Sequence, residues 1–188
     1  MRIKSMSWKK LALSGLLAIA LFLSLSLGLT TRVTAQSETA QSDAAPSVIR
    51  HPIPDSDFPI SQAVEIPADA TLVYLSGQVP AVVDESADTA TIAAFGNTEM
   101  QTLSVLEKIQ DILTSLDLTM GDVVKMQAFL VGDPEMAGKM DFAGFMAGYT
   151  QFFGTEEQPN LPSRSAMQVA GLVNPGWLVE IEVVALRQ

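Results

Sequence analysis

Residues 98–118 carry Leu103, Leu106, Ile109, Leu113 and Leu116 at the spacing of one helical face. A helix with a single apolar stripe cannot stand alone, so another layer must cover it. The spacing predicts a helix over 98–118. Thr98 and Gln101 are read as a capping box, Glu99 favours the first turn, and Gly121 is read as the stop.

The covering layer is legible on both sides of that helix. Residues 61–66, 71–79, 122–131, 163–171 and 178–187 are short runs with period-two alternation, the mark of strands. Asp133 with Pro134 predicts the start of a second helix that runs to about Phe153 and stops at Gly154. Its Met136, Met140, Phe142, Phe145, Met146, Tyr149, Phe152 and Phe153 are assigned to core packing rather than to a cofactor. The order is β-β-α-β-α-β-β, an α+β sheet with both helices on one face. Local signals suggest two hairpins, one turning at Asp69-Ala70 and one at Asn174-Pro175-Gly176. In the last strand Val179, Ile181, Val183 and Ala185 form the apolar side, and Glu180, Glu182 and Val184 the other.

Residues 1–35 contain five cations and no acid. An apolar run fills 11–29, and Val33-Thr34-Ala35 resembles a cleavage site. The expectation is a signal peptide over 1–35, a flexible spacer over 36–57 and a folded domain over 58–188, exported to the periplasm or secreted. The competing reading is an uncleaved anchor, the one case in which a membrane becomes a partner. From residue 36 onward six Lys and Arg face 21 Asp and Glu, a balance of −15. Such a surface repels phosphate backbones, so nucleic acid is not an expected partner. The chain has no cysteine, which removes disulfides and thiolate chemistry. Its one histidine, His51, makes no metal site by itself. No metal and no organic cofactor is expected.

Against that acidic background, Arg164 opens the small-residue strand Pro162-Ser163-Arg164-Ser165-Ala166-Met167. A guanidinium fixed at a strand entrance matches the two oxygens of a carboxylate, and it stays charged at any working pH.

Three segments, taken in order, are similar to the reactive intermediate deaminase (Rid, YjgF-type) family. They are SQAV at 61–64 with LVYLSGQVP at 72–80, MGDVVKMQAFLVGDPEM at 120–136, and PSRSAMQVAGL with LVEIEVVAL at 162–186. The resemblance implies the chorismate-mutase-like fold and a homotrimer with clefts between subunits. It places the 122–131 strand between the last two strands, against the second local hairpin. It also implies hydrolysis of imines and enamines derived from amino acids to keto acids and ammonia.

The family's carboxylate-binding arginine matches Arg164. Its water-activating glutamate matches Glu180, allowing one inserted residue in the Asn174 turn, and its cleft serine matches Ser76. The chain departs from the pattern at three cleft positions. Ile60 stands for a tyrosine, Met146 for an asparagine and Ala166 for a cysteine. At Ala166 the backbone can still bind. The other two changes make the cleft more apolar and favour a bulkier ligand. The alternative is a trimer that binds small carboxylates without turnover, or acts like a chaperone.

Overall fold

A computed structural model describes residues 47–187. The signal-peptide reading of 1–35, the first half of the spacer and Gln188 lie outside the described residues. The elements in chain order are β1 (Ile49–Pro52), β2 (Ser61–Glu65), β3 (Thr71–Gln78), α1 (Thr98–Ser115), β4 (Val123–Val131), α2 (Phe142–Tyr149), β5 (Ser163–Val169) and β6 (Val179–Arg187). They build one six-stranded mixed sheet in the order β1-β2-β5-β4-β6-β3. β5 runs parallel to both β2 and β4, and the other pairings are antiparallel.

The two helices cover one face. Val105, Leu106, Ile109 and Leu113 of α1 are fully buried against Val179, Ile181 and Ala185 of β6 and Met126, Ala128 and Leu130 of β4. α1 and α2 meet where Gly148 lies against Thr102. A β-carbon on Gly148 would come within 2.8 Å of the Thr102 side chain, which leaves no room for a larger residue. The opposite face has no helix over it. Tyr74 stands 73% exposed there, beside Leu72.

Neither expected hairpin forms. β3 pairs with β6 rather than with β2, and β4 lies between β5 and β6, as the family resemblance implied. A further strand precedes the expected order. Ile49–Pro52 pairs with β2, although Pro52 and the prolines that flank the strand read as spacer. Proline is tolerated there because β1 is the edge of the sheet.

The capping box at Thr98 is corrected. Asn97 is the N-cap, its side chain accepting from the Met100 amide at 3.0 Å. Gln101 is instead fully buried. Its amide donates to the Gly96 and Gly176 carbonyls, and its oxygen accepts from the Leu178 amide at 2.7 Å. That side chain fixes the approach to β6. The helix ends at Ser115, before Gly121, with Asp117 in the left-handed region. Leu116 is therefore exposed, and Val105 takes a core place the stripe did not include. The second helix is also shorter than expected. Asp133 caps a single 3₁₀ turn, Pro134–Met136, which Ala137 and Gly138 end at positive φ. α2 starts afresh, with Asp141 accepting from the Gly144 amide at 2.9 Å.

Arg50 bolts β1 to the rest. Its Nη1 donates to the carbonyls of Val123 (2.9 Å) and Leu161 (2.7 Å), and its Nη2 to that of Gly121 (2.9 Å). Burial lowers its pKa, and the charge of Asp122 pulls the other way. Arg50→Ala leaves three carbonyls without their donor, an expected loss of about 2–4 kcal/mol. Urea unfolding reads this as a lower midpoint at unchanged slope. An unchanged midpoint would mean that the three bonds contribute nothing net.

Candidate functional site

The start of β5 is held from three directions. Ser61 donates its amide to the Pro162 carbonyl at 2.9 Å and its hydroxyl to the Leu161 carbonyl at 2.6 Å. Arg50 shares that Leu161 carbonyl. The Ser163 hydroxyl reaches the Val124 carbonyl at 3.2 Å. Arg164 thus projects from a backbone with little freedom to shift. In the β4–β5 register it stands beside Met126, a fully buried residue of the helix-covered face.

The guanidinium carbon of Arg164 lies 4.1 Å from the ring centre of Tyr149, 5.0 Å from Phe145, 5.5 Å from Phe58 and 6.0 Å from Phe142. Rings at these distances attract a cation through their quadrupoles. The ring faces themselves are not acceptors of ordinary strength, and of the four residues only Tyr149 carries a hydroxyl that can accept. Nη2 has the thioether of Met146 at 3.2 Å. Nη1 is buried and has no hydrogen-bond partner among the described residues. Burial lowers the arginine pKa, opposed by Tyr149. Burial also pushes the Tyr149 hydroxyl up to about 12, with Arg164 pulling it back. That hydroxyl donates to the Pro59 carbonyl at 2.9 Å, tying the segment before β2 to α2.

A pocket of about 420 Å³ opens here, where β2 and β5 share a single register position, Ser61 with Ser163, and then part. Ile53, Ile60, Lys125 and Arg164 line it, and no Asp or Glu does. In a chain of net charge −10 this local excess of cation suits an anion. Ala166 lies two residues along β5 on the Arg164 face, partly buried against the core. β5 past Ser163 has β4 on one side and no strand on the other, so its outer edge keeps free backbone groups.

The other two expected site residues lie elsewhere. Glu180 pairs with Phe129 on β4 and alternates with the buried Val179 and Ile181, which puts its side chain on the uncovered face. The β3–β6 register shifts between Leu75 and Gln78, so Ser76 and Gly77 form a bulge. A β-carbon on Gly77 would overlap the Glu180 carboxylate, so the carboxylate rests directly on the Gly77 backbone. Within one chain, then, Arg164, Ile60, Met146 and Ala166 gather on one side of the sheet. Ser76 and Glu180 gather on the other.

Sequence reasoning missed the ring set around Arg164 and assigned its α2 members to the core. Phe145 and Tyr149 are indeed fully buried, but they also face the guanidinium. Their spacing with Phe142 was a usable signal, whereas nothing in the sequence marked Phe58. Among the described residues no cluster of His, Asp or Glu is placed to hold a metal ion.

The sheet, its helix pair and the arginine pocket define an α+β protein with a cation-lined pocket beside β5. Residues 53–187 match the family model described as Endoribonuclease L-PSP. The chain is 34% identical over 130 residues to a RutC family protein of Haemophilus influenzae, covering 69% of this chain and 88% of that one. It is 30% identical over 152 residues to the 2-iminobutanoate/2-iminopropanoate deaminase of Salmonella typhimurium, covering 81% and 99%. A solved structure of the conserved Rid family protein YyfB of Yersinia pestis aligns with a TM-score of 0.53 at 24% identity, over 72% of this chain and 96% of that one. That likeness bears on the fold alone. The chain belongs to the Endoribonuclease L-PSP family, the Rid or YjgF group.

Gly77→Ala is expected to displace the Glu180 carboxylate and leave the fold intact. Circular dichroism should match the parent protein, while any activity that needs Glu180 falls at least about tenfold, the cost of a misplaced group. Parental activity in a folded Gly77→Ala variant would show that the position of Glu180 is immaterial.

Proposed function

We propose that this protein is an exported homotrimeric deaminase that hydrolyses imines and enamines of amino-acid origin to keto acids and ammonia. The observation that carries the reading is the buried Arg164 fork. One nitrogen lacks a partner, the other has a thioether, and the pocket beside it is lined by cations and no acid. A carboxylate supplies the two oxygens such a fork lacks. The printed name of the Salmonella relative supplies the reaction class.

In this reading the substrate carboxylate pairs with Arg164, and Glu180 of a second copy comes to the same ligand. The single chain holds the two residues on opposite faces, so association is required. Glu180 orients a water and takes a proton from it as the oxygen adds to the C=N carbon. Glu180 gives that proton to the nitrogen, the new hydroxyl passes its own proton to the nitrogen as the C–N bond breaks, and ammonia leaves with the C–O bond now the ketone. Ser76 lines the far side, and backbone groups at Ala166 hold the developing oxygen. No metal or organic cofactor takes part. The surface charge weighs against nucleic acid as substrate.

Non-catalytic carboxylate binding is the second reading. It is favoured by the apolar Ile60 in the pocket and by Met146 against the guanidinium, and Glu180→Gln separates the two. Loss of turnover supports the deaminase, and an unchanged effect on imine decay supports the binder.

Arg164→Lys keeps the charge and loses the fork, so it should bind carboxylates more weakly. Arg164→Ala should lose a few hundred-fold or more in kcat/KM with the fold retained, from two charged hydrogen bonds. Ammonia release from freshly generated imino acids measures both. Parental turnover by Arg164→Ala on every imine would end the enzymatic reading. Export and assembly share a second test, on protein made from the full chain in an exporting host. The mature protein should begin at or near Gln36 and weigh as three copies in light scattering. Retained Met1 would overturn cleavage, and a stable monomer would overturn the shared site.

A further inference from the structure

The sulfur of Met146 touches the Arg164 fork where an oxygen would serve it better. The thioether takes the N–H of Nη2 at 3.2 Å, and among the described residues no other methionine sulfur accepts a hydrogen bond. A thioether is a weak acceptor. Nη1 of the same guanidinium is buried and has no partner among those residues. Met120 and Met126 are buried in the core, whereas Met146 is only partly buried. Arg164 itself lines the open pocket, so an oxidant of a few atoms that reaches the guanidinium stands within one hydrogen bond of this sulfur.

We propose that Met146 is an oxidation site: hydrogen peroxide converts its thioether to the sulfoxide, whose oxygen then occupies the Arg164 fork and excludes carboxylates. The proposal rests on the carboxylate reading of that fork and gives it a means of regulation. In the step a sulfur lone pair attacks one peroxide oxygen, and the O–O bond breaks. The leaving hydroxide takes up the proton of the transferred oxygen. Sulfur is thereby oxidised by two electrons, and the peroxide is reduced to water. The new S–O bond is polar and ends in an oxygen, which beside a cation accepts far more strongly than the thioether did. The unbranched methionine side chain adjusts by small rotations, so this oxygen can turn to Nη2 or to the unpartnered Nη1. A carboxylate arriving afterwards has to displace an internal bond before it makes its own. Methionine sulfoxide reductases return the sulfoxide to the thioether, so the block is reversible.

The test treats the assembled protein, made from the full chain, with hydrogen peroxide and then removes the peroxide. Peptide mass spectrometry should find one added oxygen on Met146. Binding of 2-oxobutanoate by calorimetry, and kcat/KM on 2-iminobutanoate freshly generated by a threonine dehydratase, should each fall about tenfold or more, as expected when a charged hydrogen bond must first be displaced. Both should recover after methionine sulfoxide reductases of the two stereospecificities have acted. Met146→Leu, compared with itself before and after peroxide, should lose nothing. The double variant Met100→Leu, Met136→Leu, which removes two exposed methionines, should lose as much as the parent. The proposal is overturned if Met146 stays unoxidised where Met100 and Met136 are oxidised, if its sulfoxide leaves binding unchanged, or if the loss persists in Met146→Leu. Should that variant not fold, the reductase series decides: recovery must follow loss of oxygen from the Met146 peptide, and recovery that follows another methionine overturns the proposal. A parent that binds the keto acid and processes no imine ends the deaminase reading, and the binding comparison then decides the proposal alone. A parent that binds no keto acid overturns both.

Discussion

The Leu161 carbonyl is the point on which the arginine site depends. It accepts from Arg50 of the edge strand and from the Ser61 hydroxyl at the start of β2. Two separate parts of the chain thereby fix the residues that lead into β5. Arg164 follows three residues later, and its direction is set by the strand before any ring packs against it. A guanidinium on a loose loop would turn toward water. One on a clamped strand stays among rings that leave Nη1 without a partner, which makes an incoming acceptor worth more.

The placement of β4 between β5 and β6 has an equally firm result. Arg164 and Glu180 belong to strands separated by one neighbour and to opposite faces of the sheet. No side-chain rearrangement within one chain brings them together. The uncovered face with Tyr74 and the bulge at Ser76-Gly77 then become parts of one arrangement. The bulge frees the space in which the Glu180 carboxylate lies, and the bare face is where a second copy can meet it.

Much of this was legible in the residues themselves. Five strands and the first helix follow from period and spacing, because burial on one face leaves its mark at every second or every third to fourth position. Strand order does not follow in this way. Turn signals at Asp69-Ala70 and Asn174-Pro175-Gly176 describe local bends, while pairing is decided by which apolar face finds which. Only the family resemblance placed β4 correctly. Gln101 looked like a cap because capping and loop-pinning ask for the same side chain. Asp133-Pro134 looked like the start of α2 because a 3₁₀ turn starts as a helix does. β1 was hidden by Pro52, which an edge strand accepts, and by the prolines that flank it. At the site, Arg164 stood out through the scarcity of cations. Phe58 could not, since a lone aromatic after a proline-rich stretch carries no period.

The sheet order also governs when the chain can fold. β1 with β2 is the one pairing of consecutive strands without a helix between them, β4 and β5 pair across α2, and β2 meets β5 across about a hundred residues. β6 is the strand that joins β3 to β4. Until Val179–Arg187 has emerged, β3 has no partner and α1 has lost the main apolar surface it rests on. A chain growing from a ribosome therefore cannot complete the helix-covered face of its sheet until almost the last described residue. That closure depends on distant contacts, a topology associated with slow folding.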